Sequence, residues 1–201
     1  GLEVQTCALP ICFPMMDTRT ANVADLVNSP GDVSLLLDAV ANHPEVFGVV
    51  DTENIVYVGG SMGGIAGLLF SNECCADPRI RGVIASASYA SNETTGFLFP
   101  YDFDNGPEVL AIIGVKDSTI PYSYSSKLIG ISPKVQVISV AEGEHRNPTG
   151  GCPAFGPFID GFIAHVLQGA DSPVWDAPCG STGLLPGGIE GPGALGNYLV
   201  T

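Results

Sequence analysis

Ile55-Val56-Tyr57-Val58-Gly59-Gly60-Ser61-Met62-Gly63-Gly64-Ile65-Ala66-Gly67-Leu68-Leu69-Phe70 reads as a strand, a sharp turn and a helix. Four β-branched or aromatic residues predict a short buried strand. Gly59 and Gly63 then flank Ser61 in a G-x-S-x-G pattern, with Gly60 and Gly64 relieving the crowding further. A turn this tight leaves almost no room for side chains beside the serine. Small residues follow where the helix must press against a sheet (Gly64, Ala66, Gly67). That context separates the pattern from a chance match in a glycine-rich chain. Ser61 is therefore the candidate nucleophile. The Met62 backbone N–H, at the helix N-terminus, faces the place where an oxyanion would form.

The composition bounds what surrounds this turn. The chain has 201 residues, 45% of them apolar and 14% charged, enough for one domain with a sizeable core. Seven basic against 21 acidic residues give a formal charge of −14, which argues against nucleic acid and against anionic membrane surfaces as partners. No run reaches the ~18 apolar residues of a spanning helix, and no basic segment precedes an apolar leader-like stretch. Six cysteines (Cys7, Cys12, Cys74, Cys75, Cys152, Cys179) carry no zinc-like spacing. With so few charged residues they favour a secreted or extracytoplasmic protein. Cys152 and Cys179, in Gly/Pro-rich surroundings, are the candidate pair for a disulfide staple; free buried thiols are the alternative.

Outward from the elbow, the chain divides into three. Residues 1–12 follow neither helical nor strand period and read as a non-native or frayed segment. Residues 13–168 carry alternating helix and strand patterns. Val33, Leu36, Leu37 and Val40 fall on one stripe of a helix over 32–43, capped by Ser29 or Gly31 and ended by Pro44. Strands are predicted over 54–58, 80–87, 109–114 and 135–140. A short helix is predicted over 123–128 and a closing helix over 154–167. Residues 88–108 form a connection long enough to be a lid or substrate wall. Residues 169–201, rich in Gly and Pro, are expected to wind over the surface. Strands alternating with helices predict an α/β fold with a mostly parallel sheet.

A nucleophilic serine needs a base, and the base an orienting acid. Three histidines are available. His43 precedes the serine, and His165 lies within the closing helix. His145 follows the fourth strand, at the end of a parallel sheet where ligands bind. It is the candidate base. Asp117 stands just beyond Val109–Gly114 and is the candidate acid. Asp102, Asp104, Glu142 and Glu144 compete with it less well. Tyr89, Phe97, Phe99 and Ile120 are candidate walls of a substrate pocket.

Gly59-Gly60-Ser61-Met62-Gly63-Gly64, Asn72-Glu73-Cys74-Cys75-Ala76-Asp77-Pro78-Arg79-Ile80, Gly114 with Asp117 and Ile120-Pro121, and Gly143 with His145 together resemble an α/β-hydrolase. The nearest groups are the dienelactone-hydrolase-like and platelet-activating-factor-acetylhydrolase-like bacterial esterases. The likeness covers about residues 30–168. It implies hydrolysis of a small-molecule or lipid-like carboxylic ester through an acyl-enzyme, with Ser61, Asp117 and His145 as triad and without metal or cofactor. Similar enzymes are often secreted. The departure lies before the elbow. Only 54 residues precede Ile55, where such a fold places several strands and an H-G-G-type loop. The chain thus resembles the carboxyl-terminal part of a longer hydrolase, with an exposed sheet edge and a second oxyanion donor not found. A peptidase of the same fold, or an inactive, truncated hydrolase-like domain, is the alternative expectation.

Overall fold

Branched apolar runs become the strands of one sheet. The protein is represented by a computed structural model that describes residues 23–90, 101–153, 155–171, 182–184 and 197–200. Strands β1 (Ile55–Gly60), β2 (Ile80–Ser86), β3 (Glu108–Gly114) and β4 (Val135–Val140) lie side by side in chain order, all parallel. Helix α1 (Ser29–Asn42) and the one-turn helix α2 (Pro44–Phe47) precede β1. Helix α3 (Met62–Leu68) links β1 to β2, and the short α4 (Tyr122–Ser125) lies between β3 and β4. The closing helix α5 spans Phe155–Gln168.

Period-two alternation decides which residues face which layer. Val83, Ala85, Val109, Ala111, Ile113, Val135 and Val137 pack with Val33 of α1, Leu68 of α3 and Phe70. Their neighbours Ile84, Leu110, Ile112, Ile138 and Val140 meet Phe155, Phe158 and Phe162 of α5 on the other face. Both faces are covered, so β3 reads as a near-continuous apolar run rather than an alternating one, while β2 carries the exposed Arg81 near its start and β4 buries Gln136 and Ser139. Strand β1 differs. It forms one edge of the described sheet, and Val58 is 66% exposed.

Two expectations need correction. Helix α1 starts at Ser29, not Asp32, because a 3-10 turn over Val23–Asn28 feeds directly into it. Pro30 fits that first turn, where its missing N–H has no acceptor to lose. Neither Ser29 nor Gly31 caps it; Asn28 holds the N-cap position without a side-chain cap bond. Second, the segment after residue 168 does more than cover the surface. Strand β6 (Asn197–Val200) pairs parallel with β4, and β5 (Thr182–Leu184) pairs antiparallel with β6. Their sequence, Thr-Gly-Leu and Asn-Tyr-Leu-Val between glycines and prolines, is too short to carry a period. Outside the expected pair, Cys74 and Cys75 form a disulfide with each other. Cys152 is disulfide-bonded as well, and Cys179 lies outside the described residues. Among the described residues no helix is long and apolar enough to cross a membrane.

Candidate active site

The carboxyl ends of β1, β3 and β4 bring Ser61, Asp117 and His145 together. Ser61 occupies the N-cap position of α3, where a serine would ordinarily turn its hydroxyl onto the helix's free N–H groups. It makes no such bond. Its backbone sits at φ 53°, ψ −120°, a conformation that costs a non-glycine residue about 1–3 kcal/mol. That twist releases the hydroxyl from capping and directs it across the sheet. The Ser61 N–H donates to the Ser86 carbonyl at 2.9 Å and the Ser61 carbonyl accepts from Ile65 N–H at 3.0 Å, so the strained residue is held from both sides. Gly59 makes the turn possible. A Cβ there would stand 2.3 Å from the Gly63 carbonyl oxygen.

The histidine reaches the serine from the loop after β4. His145 Nε2 lies 3.0 Å from Ser61 Oγ, and His145 Nδ1 lies 2.8 Å from Asp117 Oδ2. A carboxylate only accepts, so Nδ1 carries the proton and donates it to Asp117. Nε2 is then left with its lone pair and accepts from the serine hydroxyl. Asp117 is anchored in turn. Its other oxygen, Oδ1, accepts from the backbone N–H groups of Thr119 and Ile120, both at 2.8 Å. Its side chain is 3% exposed against 20% for that of His145. The acid is sunk in the protein and the imidazole opens toward solvent.

Two loops must touch for this to happen, and glycines let them. A Cβ on Gly114 would fall 2.4 Å from the Gly143 carbonyl oxygen. Lys116 N–H donates to that same carbonyl at 2.9 Å, and the Lys116 ammonium pairs with Glu142 across the junction. The sequence pattern marked both glycines, but not the reason that they face each other. It also missed the Thr119 and Ile120 donors. Their signal was present: Asp at the first position of Asp117-Ser118-Thr119-Ile120-Pro121 is the side chain that accepts from its own turn.

Three of the four competing acids have other partners. Asp102 accepts from Asn105, Asp104 from the Ser132 hydroxyl, and Glu142 pairs with Lys116. His43 sits at the end of α1 beside Glu45. His165 contacts Glu108 and donates from Nδ1 to the Ala170 carbonyl. Met62, the first residue of α3, has a backbone N–H of the kind that lacks an acceptor within its helix. Its side chain packs against the buried cluster of Leu26, Ile65, Ala66 and Leu69. Of the candidate pocket walls, Tyr89 stacks at a tilt on Tyr124, 5.8 Å between ring centres, and Ile120 is buried. Phe97 and Phe99 lie outside the described residues.

No protein-family model and no curated protein matches the chain. Among solved structures, an esterase of Pyrococcus furiosus is similar at a TM-score of 0.50 and 13% sequence identity, over 73% of this chain. The match covers 64% of the length of that esterase. At this identity the likeness speaks for the fold: the chain shares the α/β architecture of that esterase, a parallel sheet with flanking helices.

Proposed function

We propose that the protein is a serine hydrolase that cleaves carboxylic esters through an acyl-enzyme. The observation that carries this reading is the hydrogen-bonded chain Asp117–His145–Ser61, which joins three strand ends while its serine sits in a strained turn. Structural side-chain bonds seldom need a backbone in that region.

In this mechanism Ser61 Oγ attacks the ester carbonyl carbon as His145 Nε2 takes its proton. The oxyanion of the tetrahedral intermediate accepts from the Met62 N–H, at the positive end of α3. His145, now protonated and steadied by Asp117, gives the proton to the departing alkoxide. Water enters, loses a proton to His145 as its oxygen attacks the acyl carbon, and the second tetrahedral intermediate collapses to the free acid as His145 returns that proton to Ser61 Oγ. Met62 supplies one oxyanion donor. A second such donor is typically worth ~10²–10³ in rate, so activity depends strongly on what lies beyond this one N–H.

The substrate class is a small-molecule or lipid-like ester, and the disulfides at Cys74–Cys75 and Cys152 favour an extracytoplasmic setting. The test is hydrolysis of p-nitrophenyl esters of graded acyl length beside peptide p-nitroanilides. Turnover of the esters with a burst of nitrophenol is expected. Cleavage of the anilides alone would turn the reading to a peptidase, and inertness of the folded protein toward both would overturn it.

A further inference from the structure

Structural disulfides stabilise a fold chiefly by closing long loops in the unfolded chain, and the gain grows with loop length. The Cys74–Cys75 bond joins sequence neighbours and closes the shortest loop available. By linkage, a fold stabilises a disulfide only as much as the disulfide stabilises the fold. The native structure therefore protects this bond little against reduction. Cys152 is a contrast. Its disulfide involves neither Cys74 nor Cys75, and the remaining cysteines are at least 27 positions away.

The surroundings point the same way. Cys74 is exposed and Cys75 half-buried, and both line an open cleft of about 600 Å³. The lining also includes Pro30, Gly31 and Leu35 from the first turns of α1, the last 68% exposed. An attacking thiol can reach the bond without unfolding anything. On its inner side Cys75 packs against the cluster of Leu26, Ile65, Ala66 and Leu69 that also holds Met62. The turn itself is held by backbone donors: Cys75 N–H to the Asn72 carbonyl at 2.9 Å and Cys74 N–H to Asn72 Oδ1 at 3.3 Å. These bonds do not require the sulfurs to be joined, so the turn can persist as a dithiol.

We propose that Cys74–Cys75 is a reversible thiol–disulfide exchange site, reduced by dithiols in preference to the disulfide of Cys152. A thiolate of the reductant attacks one sulfur, the Cys74–Cys75 bond breaks, and a mixed disulfide forms while the other cysteine leaves as thiolate and takes a proton. The second thiol of the reductant then attacks the mixed disulfide. The reductant leaves as its own disulfide, two electrons poorer, and both cysteines are thiols. The inference is independent of the reaction proposed for Ser61.

The test titrates the folded, air-oxidised protein with dithiothreitol, without denaturant, followed by acid quench, alkylation and residue-resolved mass spectrometry. Cys74 and Cys75 are expected to become alkylated together, at a dithiothreitol concentration at least tenfold below that needed for Cys152. They should pair again when the reductant is removed in air. A C74S,C75S variant should leave the Cys152 midpoint unchanged. Three results would each overturn the proposal: alkylation of Cys74 and Cys75 in untreated protein, a midpoint equal to or above that of Cys152, or failure to re-form the bond.

Discussion

The two ends of the segment joining β1 to β2 use the same side chains for different work. At its far end, in the return turn, Asp77 accepts from Arg79 Nε, Arg79 Nη2, Arg79 N–H and Ser34 Oγ, while Arg79 also reaches Asp38. Asp77 and Arg79 are two residues apart, neither has a positive φ, and the bonds pin α1 to the turn. At its near end Ser61 lies in a left-handed conformation and meets His145, 84 positions away, which meets Asp117, 28 positions away. Asp77 faces a permanent cation. Asp117 faces an imidazole, which can take and return a proton. An aspartate that touches a guanidinium beside it in sequence locks a turn; one that orients a distant histidine toward a strained serine prepares chemistry.

Exchanging each acid for its amide separates the two roles most sharply. Asp117→Asn is expected to cut ester hydrolysis by about 10⁴-fold, because the amide favours the wrong histidine tautomer, with little change in urea unfolding. Asp77→Asn should do the reverse, keeping kcat while lowering stability by ~2 kcal/mol, the usual scale for a hydrogen bond to a charged group. If Asp77→Asn lost the activity and Asp117→Asn kept it, the comparison would be inverted.

Glycines sharpen the same contrast. Gly59→Ala would press a methyl group onto the Gly63 carbonyl, so a loss of ~1–3 kcal/mol and of the elbow's activity is expected in thermal unfolding and ester assays. Gly31→Ala, on the helix beside the return turn, meets nothing within 4 Å and should raise stability by ~0.5–1 kcal/mol. Acid provides a third probe. The hydrogen bonds from Arg79, aided by Ser34, hold the Asp77 carboxyl well below the ordinary carboxylate range against an opposing effect of burial. Because the folded value is depressed, its contribution is complete above the unfolded value near ~4 and is lost as pH falls through the folded one. Urea midpoints of wild type and Asp77→Asn should therefore converge as pH drops from 5 toward 2; a constant gap would remove Asp77 as the cause. The smallest effect is at Ala87, whose φ of 46° makes it, with Ser61, one of two non-glycine residues in the left-handed region among those described. Ala87→Gly should relieve that strain and stabilise by up to ~1 kcal/mol.

Much of this architecture was legible because local and global signals agree. The four branched runs, the glycines around Ser61 and the aromatic stripe of α5 each point to one arrangement, and the strands formed within about two residues of their expected bounds. The order of serine, acid and histidine along the chain singled out residues that the fold does bring within hydrogen-bond distance. What stayed hidden depends on tertiary partners. Asn197–Val200 has no period of its own and becomes a strand because β4 offers it a free edge. The backbone N–H groups that hold Asp117, and the Gly114–Gly143 contact, are properties of two loops that meet only after folding. The Cys74–Cys75 bond was open to view as adjacent letters, but spacing arguments look for loops and pass over neighbours.

Activation of Ser61 by His145 is read directly by a fluorophosphonate probe. Covalent labelling of the folded protein at Ser61 is expected, abolished in Ser61→Ala and strongly slowed in His145→Ala. A folded protein that takes up no label, or one that is labelled equally after Ser61→Ala, would contradict it.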